Sequence, residues 1–246
     1  MPRPPVPYAA RANLLLTNLL AEDGGALTSA IRSEHPAQGQ VLSTRAAPAT
    51  EIWFPVTGVI GLSITDDEGR TAQTGMVGPE GSVGLEILFS GMPALAHAEV
   101  QVSGEMSVIS ADHLRSALAS RPAIQTTFSR FLYDLSAQSF QTVACNRLHS
   151  LESRCCRWLL MMQDRTGDDD LPLTQESLAT MLGSGRPRVN GLLAALEQDG
   201  LVRRYRGRIR LLNRPGLERR TCECYRLIGY SPNALGGPNA RGMLHR

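Results

Sequence analysis

The sequence contains no lysine, and all 25 of its basic residues are arginines. We interpret this absence as the mark of a GC-rich genome rather than of a function. The sequence also lacks an apolar run approaching the ~18 residues that a membrane helix needs. No apolar stretch with a small-residue cleavage site follows the N-terminus, so we read no signal peptide. These absences predict a cytoplasmic protein that does not enter a membrane.

Cysteine is absent from the first 144 residues. An odd number of cysteines without a secretion signal argues against a disulfide framework. Their spacing lacks the Cys-x2-Cys pairs that zinc sites favour, so we predict no metal site and interpret the thiols as small buried hydrophobes. A redox switch formed by Cys155 or Cys156 is the alternative hypothesis. The five cysteines are Cys145, Cys155, Cys156, Cys222 and Cys224.

The histidines give no sign of nucleophilic catalysis. They are scattered over the chain, and no Ser–His–Asp or Cys–His arrangement can be assembled around them. We therefore expect that the protein is not an enzyme. The five are His35, His97, His113, His149 and His245.

The net charge of +2 hides an asymmetry between the two halves of the chain. Residues 1–146 hold 8 Arg against 13 acidic residues, a balance of −5, whereas residues 147–246 hold 17 Arg against 10, a balance of +7. Genome composition cannot produce such a difference. It indicates a neutral-to-acidic module joined to one that meets an anion, most often nucleic acid.

The sequence pattern of residues 25–119 predicts a small β domain, which follows an N-terminal segment, residues 1–24. Short β-branched runs alternate with turns rich in Gly, Pro and Asp. The segment Asp66-Asp67-Glu68-Gly69-Arg70, between two such runs, predicts a hairpin. Several short strands at this spacing predict an antiparallel barrel or a jelly roll.

A long helix is predicted over residues 120–146. Ile124, Phe128, Phe131 and Leu135 recur at steps of 4, 3 and 4, and weaker residues, among them Thr142, continue the spacing. At 1.5 Å per residue the helix spans roughly 37 Å, too long for one small barrel to cover. We therefore predict that this stripe pairs with a second copy of the chain. A core helix of a single protomer is the alternative.

Residues 147–230 predict a winged helix-turn-helix. Two short helices meet at Gly183, where a Cβ would crowd the crossing, and an Arg-rich hairpin with its turn at Arg206-Gly207 follows them. A last helix is predicted over residues 215–228. The Gly- and Pro-rich tail, residues 231–246, is predicted to be disordered.

The second short helix would expose Arg186, Pro187, Asn190 and Gly191 in its first turns, where a recognition helix enters the major groove. Arg186 can donate two hydrogen bonds to guanine O6 and N7, and Asn190 can pair with adenine N6 and N7. We predict that these four positions face the bases.

Other residues of the same region are predicted to bind phosphates. Free N–H groups and hydroxyl or amide donors at the start of the first helix suit the DNA backbone, and arginines on the hairpin add cations. The predicted phosphate ligands are Thr174, Gln175, Ser184, Arg188, Arg203, Arg204, Arg206 and Arg208.

With these motifs in place, about residues 20–228 of the chain resemble bacterial transcription regulators of the Crp/Fnr family. The similarity rests on Leu171-Pro172-Leu173-Thr174-Gln175-Glu176, Gly183-Ser184-Gly185-Arg186-Pro187-Arg188-Val189, Leu196-Glu197 with Gly200-Leu201-Val202, Phe54-Pro55-Val56-Thr57-Gly58-Val59-Ile60 and Gly78-Pro79-Glu80-Gly81. The resemblance implies an α+β chain with a cyclic-nucleotide-binding-like jelly-roll sensor, a long dimerisation helix and a C-terminal winged helix-turn-helix.

The resemblance also implies partners. A homodimer would read a pseudo-palindromic promoter site in double-stranded DNA, with half-sites about 34 Å apart. RNA polymerase is a further expected partner if the protein activates transcription. Many members have an acidic residue where this chain has Pro187, and some have a second base-reading arginine where it has Gly191. The half-site sequence therefore cannot be carried over.

No cofactor is expected. Cyclic-nucleotide binders of the family hold the phosphate with an arginine, but the matching stretch, Gly84-Leu85-Glu86 through Ala96-His97-Ala98, lies in a segment without arginine between Arg70 and Arg115. The N-terminal cysteine cluster of the oxygen-sensing branch is absent too. A regulator that responds to a cyclic nucleotide through a degenerate site, or to thiol oxidation, is the alternative.

Overall fold

The computed structural model describes residues 12–23, 27–88 and 92–228. The Pro-rich start of the chain, residues 1–11, and the predicted disordered tail, residues 231–246, lie outside these ranges. Within them, no helix is both long enough and apolar enough to cross a membrane.

The N-terminal half is a β sandwich of two antiparallel sheets, with strand orders β1-β7-β3 and β2-β6-β4-β5. Ile52 and Phe54 from the first sheet pack in one core with Ile60 and Val100 from the second. This arrangement confirms the predicted jelly-roll-like domain. Its strands are β1 (Arg32–Glu34), β2 (Val41–Ser43), β3 (Glu51–Pro55), β4 (Val59–Thr65), β5 (Thr71–Val77), β6 (His97–Val102) and β7 (Met106–Ser110).

The predicted hairpin joins β4 to β5. Asp66 fixes its turn, because the Asp66 Oδ1 atom accepts hydrogen bonds from the backbone N–H groups of Glu68 (3.0 Å) and Arg70 (2.8 Å). The two strands then pair in antiparallel register from Thr65 opposite Thr71 to Ile60 opposite Val77.

Three helices flank the sandwich: α1 (Leu14–Asp23), α2 (Ala111–Ser120) and α3 (Pro122–Leu148). Helix α3 is the long helix that the sequence predicts, shifted by two residues at each end. Pro122 occupies its first turn, where the missing N–H has no helical acceptor.

The predicted dimer stripe of α3 faces the protein's own core. Ile124, Phe128 and Phe131 are at most 4% exposed and pack with the leucines of α1 and the sandwich. Leu135 packs against the same core, and Thr142 is 1% exposed. Burial within one chain argues against a dimer contact for the four buried residues, Ile124, Phe128, Phe131 and Thr142, whereas the role of the partly buried Leu135 stays a prediction. The 4-3-4 spacing marks an apolar face, but α1 and β5 cover that face within one chain.

Gln138 attaches α3 to the edge of the four-stranded sheet. Its Oε1 atom accepts a hydrogen bond from the Met76 N–H (2.8 Å), and its Nε2 atom donates to the Met76 carbonyl (3.2 Å). The side-chain amide thus pairs with edge strand β5 much as another strand would.

The C-terminal half confirms the predicted winged helix-turn-helix. A small sheet with strand order β8-β10-β9 forms the wing. The helix predicted over residues 215–228 is broken at residues 221–223, which separate α7 from α8. The elements are α4 (Leu151–Thr166), β8 (Asp170–Leu171), α5 (Gln175–Leu182), α6 (Arg186–Gln198), β9 (Val202–Tyr205), β10 (Arg208–Leu211), α7 (Arg214–Arg220) and α8 (Cys224–Ile228).

The two halves are joined by a shared apolar core and a shielded ion pair. Val59, Met76 and Val102 of the sandwich belong to the same buried cluster as the residues of α4, α5 and α6. Beside it, Arg165 Nη2 lies 2.7 Å from Glu80 Oε1, and the arginine side chain is 2% exposed. The winged domain therefore rests directly on the sandwich.

Candidate DNA-binding interface

The start of α5 is fixed by a reciprocal cap. Thr174 Oγ1 accepts a hydrogen bond from the Ser177 N–H (2.9 Å), and Ser177 Oγ accepts one from the Thr174 N–H (3.0 Å). The helix ends at Gly183, whose φ of +56° is a conformation that favours glycine. A Cβ at Gly183 would meet nothing within 4 Å, so the glycine is favoured by its left-handed backbone and not, as predicted, by lack of space at the crossing.

One face of α6 is anchored in the core, because Val189, Leu193 and Leu196 are completely buried. The opposite face carries all four residues predicted to read bases, namely Arg186, Pro187, Asn190 and Gly191, and each of them is exposed. Arg186 and Asn190 stand one turn apart on this face. Arg188, predicted to bind phosphate, is exposed as well.

Arg186 is engaged before any DNA is present. Its Nη2 group forms an ion pair with Glu176 Oε1 on α5, and both side chains are more than half exposed. A guanidinium that binds guanine edges would have to leave this carboxylate or share its donors with it. Sequence reasoning did not identify Glu176 as part of the interface.

The wing presents exposed arginines next to α5. Arg203 and Arg206 are exposed, as is Arg208, which lies over the ring of Tyr205 with 4.6 Å from guanidinium carbon to ring centroid. Asp170 on β8 lies within 4.0 Å of Arg208 and moderates the local positive charge.

Arg204 lies on the wing as predicted, but its guanidinium is paired with a carboxylate of α6. Its Nη2 atom lies 2.7 Å from Glu197 Oε2, and its backbone N–H donates to Glu197 Oε1 (2.9 Å). These contacts, first the backbone hydrogen bond, lower the pKa of Glu197. Arg204 therefore ties the wing to the recognition helix, and because it also lines the cleft beside Thr174, its phosphate contact stays a prediction.

A shallow cleft of about 200 Å³ separates the start of α5 from the wing. Thr174 and Gln175 line one side, and Arg206 and Arg208 line the other. The hydroxyl, amide and guanidinium groups along this cleft can donate hydrogen bonds to a phosphate of the DNA backbone. Ser184 lies elsewhere, at the turn after α5, where its N–H donates to the Ala179 carbonyl (3.0 Å).

The proposed redox pair is inaccessible. Cys155 and Cys156 are both completely buried on α4. Burial raises the pKa of both thiols, that of Cys156 to about 12, so neither supplies the reactive thiolate that a redox switch needs. The structure argues against a switch at these two residues.

The other three cysteines are brought together with a histidine. The ligand atoms of Cys145, His149, Cys222 and Cys224 all lie within 4.8 Å of one another. The sequence signals were a Cys-x3-His pair at the end of the long helix and a Cys-x-Cys pair that begins within the break at residues 221–223. The expectation of no metal-ligand constellation overlooked them, because the two pairs are 77 residues apart.

In the described part of the stretch that matches the family's cassette, Glu86 and His97 make local hydrogen bonds to the backbone. Glu86 Oε1 accepts a hydrogen bond from the Leu95 N–H (3.4 Å), and His97 Nδ1 accepts one from the Arg45 N–H (3.4 Å). The sequence between residues 71 and 114 holds neither Arg nor Lys. No guanidinium from this stretch can clamp a phosphate there.

Two family models match the chain in the order of its two halves. The cyclic nucleotide-binding domain matches residues 34–121, and the Crp-like helix-turn-helix domain matches residues 153–220. The first covers the sandwich and the second covers α5, α6 and the wing.

Known regulators are similar along most of the chain. The CRP-like cAMP-activated global transcriptional regulator of Mycobacterium tuberculosis is 23% identical over 185 residues, which cover 72% of this chain and 83% of that protein. The global nitrogen regulator of Synechococcus elongatus is 22% identical over 213 residues, which cover 83% and 95%.

Solved structures share the fold. FixK2 from Bradyrhizobium japonicum matches with a TM-score of 0.67 and 17% identity, covering 78% of this chain and 98% of that one. TTHB099, a CRP-family transcriptional regulator from Thermus thermophilus, matches with a TM-score of 0.61 and 20% identity, covering 82% and 99%.

Proposed function

The chain belongs to the Crp/Fnr family of DNA-binding transcription regulators, and on that premise we propose that it acts as a homodimer on a pseudo-palindromic promoter site. The observation that carries the proposal is the exposed face of α6, with Arg186, Arg188 and Asn190 standing beside a wing that presents Arg203 and Arg206. Base readers and phosphate binders lie on adjacent surfaces, as groove recognition requires.

A second face of α3 supports dimerisation in place of the predicted one. Tyr133, Phe140 and Val143 are 73%, 75% and 68% exposed, although all three are large and apolar. They stand at steps of 7 and 3 along the helix, which is the spacing of a coiled-coil seam. We propose that this second face packs against its copy and sets the recognition helices about one helical turn of DNA (~34 Å) apart.

We further propose that DNA binding needs no cyclic nucleotide and no N-terminal iron–sulfur centre. The lack of arginine in the cassette stretch and the lack of cysteine before Cys145 support this. The alternative, a regulator that answers to a cyclic nucleotide through a degenerate cassette, predicts binding heat in calorimetry with cAMP or cGMP. The proposal predicts none.

The family supports a further proposal about the cellular setting. We propose that the protein works in the cytoplasm on nucleoid DNA, has no enzymatic activity, and contacts RNA polymerase where it activates a promoter. The relatives are named as transcription regulators, which supports the first two statements. A promoter-reconstituted transcription assay with purified polymerase tests the third.

Selection of bound fragments from genomic DNA tests the whole proposal. The expected result is a two-fold symmetric motif whose half-sites are centred about 10–10.5 base pairs apart or a multiple of that. Mass photometry of the complex should give two chains per site. A single asymmetric motif bound by one chain would contradict the proposed dimer, and a lack of any enriched motif would contradict sequence-specific binding.

A further inference from the structure

Four potential metal ligands meet where α3 ends. Cys145 lies in the last turn of α3, and His149 is the residue directly after the helix. Cys222 precedes α8, and Cys224 is its first residue. The three cysteines are buried and His149 is half-buried. The separation along the chain, 77 residues between Cys145 and Cys222, means that the fold itself brings them together.

The spacing of the ligand atoms fits one tetrahedral ion. Zinc binds sulfur at about 2.3 Å and imidazole nitrogen at about 2.0–2.1 Å, so atoms that share a tetrahedral ion lie about 3.5–3.8 Å apart. Cys145 Sγ lies 3.5 Å from Cys222 Sγ, and Cys224 Sγ lies 3.5 Å from His149 Nδ1. A polynuclear iron–sulfur cluster inserts several atoms between its cysteines and needs them farther apart.

Neighbouring side chains orient the ligands as metal sites require. His149 Nε2 lies 3.2 Å from Glu223 Oε1, so the carboxylate holds one ring nitrogen while the other, Nδ1, faces the cysteines. Ligating histidines in proteins usually have such a carboxylate partner. Gln141 Nε2 donates to Cys224 Sγ at 3.0 Å, a contact that stabilises a thiolate.

A buried cation beside the thiols gives an independent reason for negative charge here. Arg157 is completely buried, and its Nε and Nη2 atoms have no hydrogen-bond partner among the described residues. Its Nη1 group donates only a long hydrogen bond, 3.4 Å, to Thr142 Oγ1. The guanidinium carbon also lies 4.9 Å from the centroid of the Trp158 ring. With neutral thiols, that ring and the long hydrogen bond would be the only compensation for a buried charge among the contacts described, at considerable cost. Three thiolates around a divalent ion carry a net charge of −1, which would balance the guanidinium.

We propose that Cys145, His149, Cys222 and Cys224 bind one Zn²⁺ ion in a closed tetrahedral site. The four protein ligands leave no open position, so the ion is structural. On binding, each of the three thiols gives its proton to solvent, and His149 binds through the neutral Nδ1 atom. The ion would fasten α8 to the end of α3, beside the link at residues 149–150 that leads into the winged domain.

The first test is metal uptake by the full-length protein. Apoprotein titrated with Co²⁺ should bind one ion per chain and show both the visible bands of tetrahedral cobalt and a thiolate-to-cobalt charge-transfer band. Zn²⁺ should displace the cobalt. Calorimetry in buffers of different ionisation enthalpy should count about three protons released per ion.

Variants locate the site. Cys222→Ser and Cys224→Ser should abolish stoichiometric cobalt binding, whereas Cys155→Ala, a thiol that is buried outside the cluster, should leave it unchanged. His149→Cys should retain a tetrahedral spectrum with a stronger charge-transfer band. Glu223→Gln should weaken cobalt binding roughly 10- to 100-fold by releasing the histidine ring.

Several outcomes would overturn the proposal. Wild-type apoprotein that takes up no cobalt refutes it directly, and this result does not depend on whether any variant folds. An unchanged cobalt spectrum in Cys222→Ser also refutes it. So does a Cys145–Cys222 disulfide as the state of the protein isolated anaerobically from cells.

The effect on DNA rests on the proposed function and is measured separately. Zinc-loaded protein should bind its selected site more tightly than apoprotein, and Cys222→Ser should show no such difference. Metal uptake without a change in DNA affinity would be consistent with the zinc site and would refute only its coupling to the winged domain. DNA binding that is lost in both metal states would contradict the proposed function instead.

Discussion

The carboxylate of Glu176 pairs with the guanidinium of Arg186 across the turn of the helix-turn-helix. The pair lies on the exposed face that is proposed to enter the major groove, so an acidic group stands where phosphates and guanine edges would approach. With Arg186 in its proposed role, guanine would have to compete with Glu176 for the donors of Arg186, and a base that forms no hydrogen bonds with Arg186 would not compensate for the broken ion pair. The contact would thereby increase discrimination between sequences at the expense of affinity.

Replacing Glu176 should change specific and non-specific DNA affinity in different ways. For Glu176→Gln we expect non-specific DNA affinity to rise about two- to fivefold, since an exposed ion pair is worth ~0.2–1 kcal/mol and its loss also removes a repelling charge. The ratio of specific to non-specific affinity should fall. Fluorescence anisotropy on selected and scrambled duplexes measures both. Glu68→Gln, which removes an exposed charge paired with Arg70 on the sandwich, is the matched control.

The proposed roles of Arg186, which would read a base, and Arg206, which would bind a phosphate, predict different effects of an alanine substitution. Arg186→Ala should cost ~1–3 kcal/mol on the selected site and relax the preference at one base pair. Arg206→Ala should weaken all duplexes alike and reduce the slope of log K against log salt by about 0.9. Titrations at several salt concentrations distinguish the two. Equal proportional losses of specific and non-specific binding in both variants would refute the assignment.

The exposed face of α3 predicts the oligomeric state. Phe140→Glu should convert the dimer to monomers, because a charge would be buried at the centre of the proposed seam. Leu95→Glu provides the control, since Leu95 on the sandwich is exposed to the same extent, 75%. Sedimentation velocity gives the mass of each. A Phe140→Glu protein that remains dimeric would place the interface on another surface.

Two glycines of the helix-turn-helix should respond in opposite directions to alanine. Gly191 lies inside α6, and Gly183 has a φ of +56°; a Cβ at either position would meet nothing within 4 Å. Gly191→Ala should therefore stabilise the fold by about 0.5–1 kcal/mol through helix propensity. Gly183→Ala should destabilise it, because a left-handed backbone conformation is less favourable for alanine than for glycine. Urea unfolding of the two variants measures the change in the free energy of unfolding. A change of the same sign in both variants would contradict the prediction.

Local spacing was enough to predict the winged domain. Val189, Leu193 and Leu196 recur on one face of α6, and Gly183 ends α5, so both the buried side and the turn follow from nearest neighbours in the chain. The hairpin at Asp66 is equally local, because its turn is closed by its own side chain.

Long-range contacts explain what the sequence could not show. The spacing of Ile124, Phe128 and Phe131 predicts an apolar face, but it does not determine whether α1 or a second chain covers that face. The cluster around Cys145 needs Cys222 from 77 residues away. Arg204 carries the same charge as Arg203, and only the position of Glu197 in the fold distinguishes a tether from a free cation.

The buried side chain of Met76 has a thermodynamic consequence. Its backbone pairs with Gln138 of α3, while its side chain lies in the same core as Trp158 and Leu178 of the winged domain. Neither half can unfold without exposing apolar surface of the other, so calorimetry should record one cooperative transition instead of two. A fragment that ends after α3 would leave Val59, Met76 and Val102 uncovered and should aggregate.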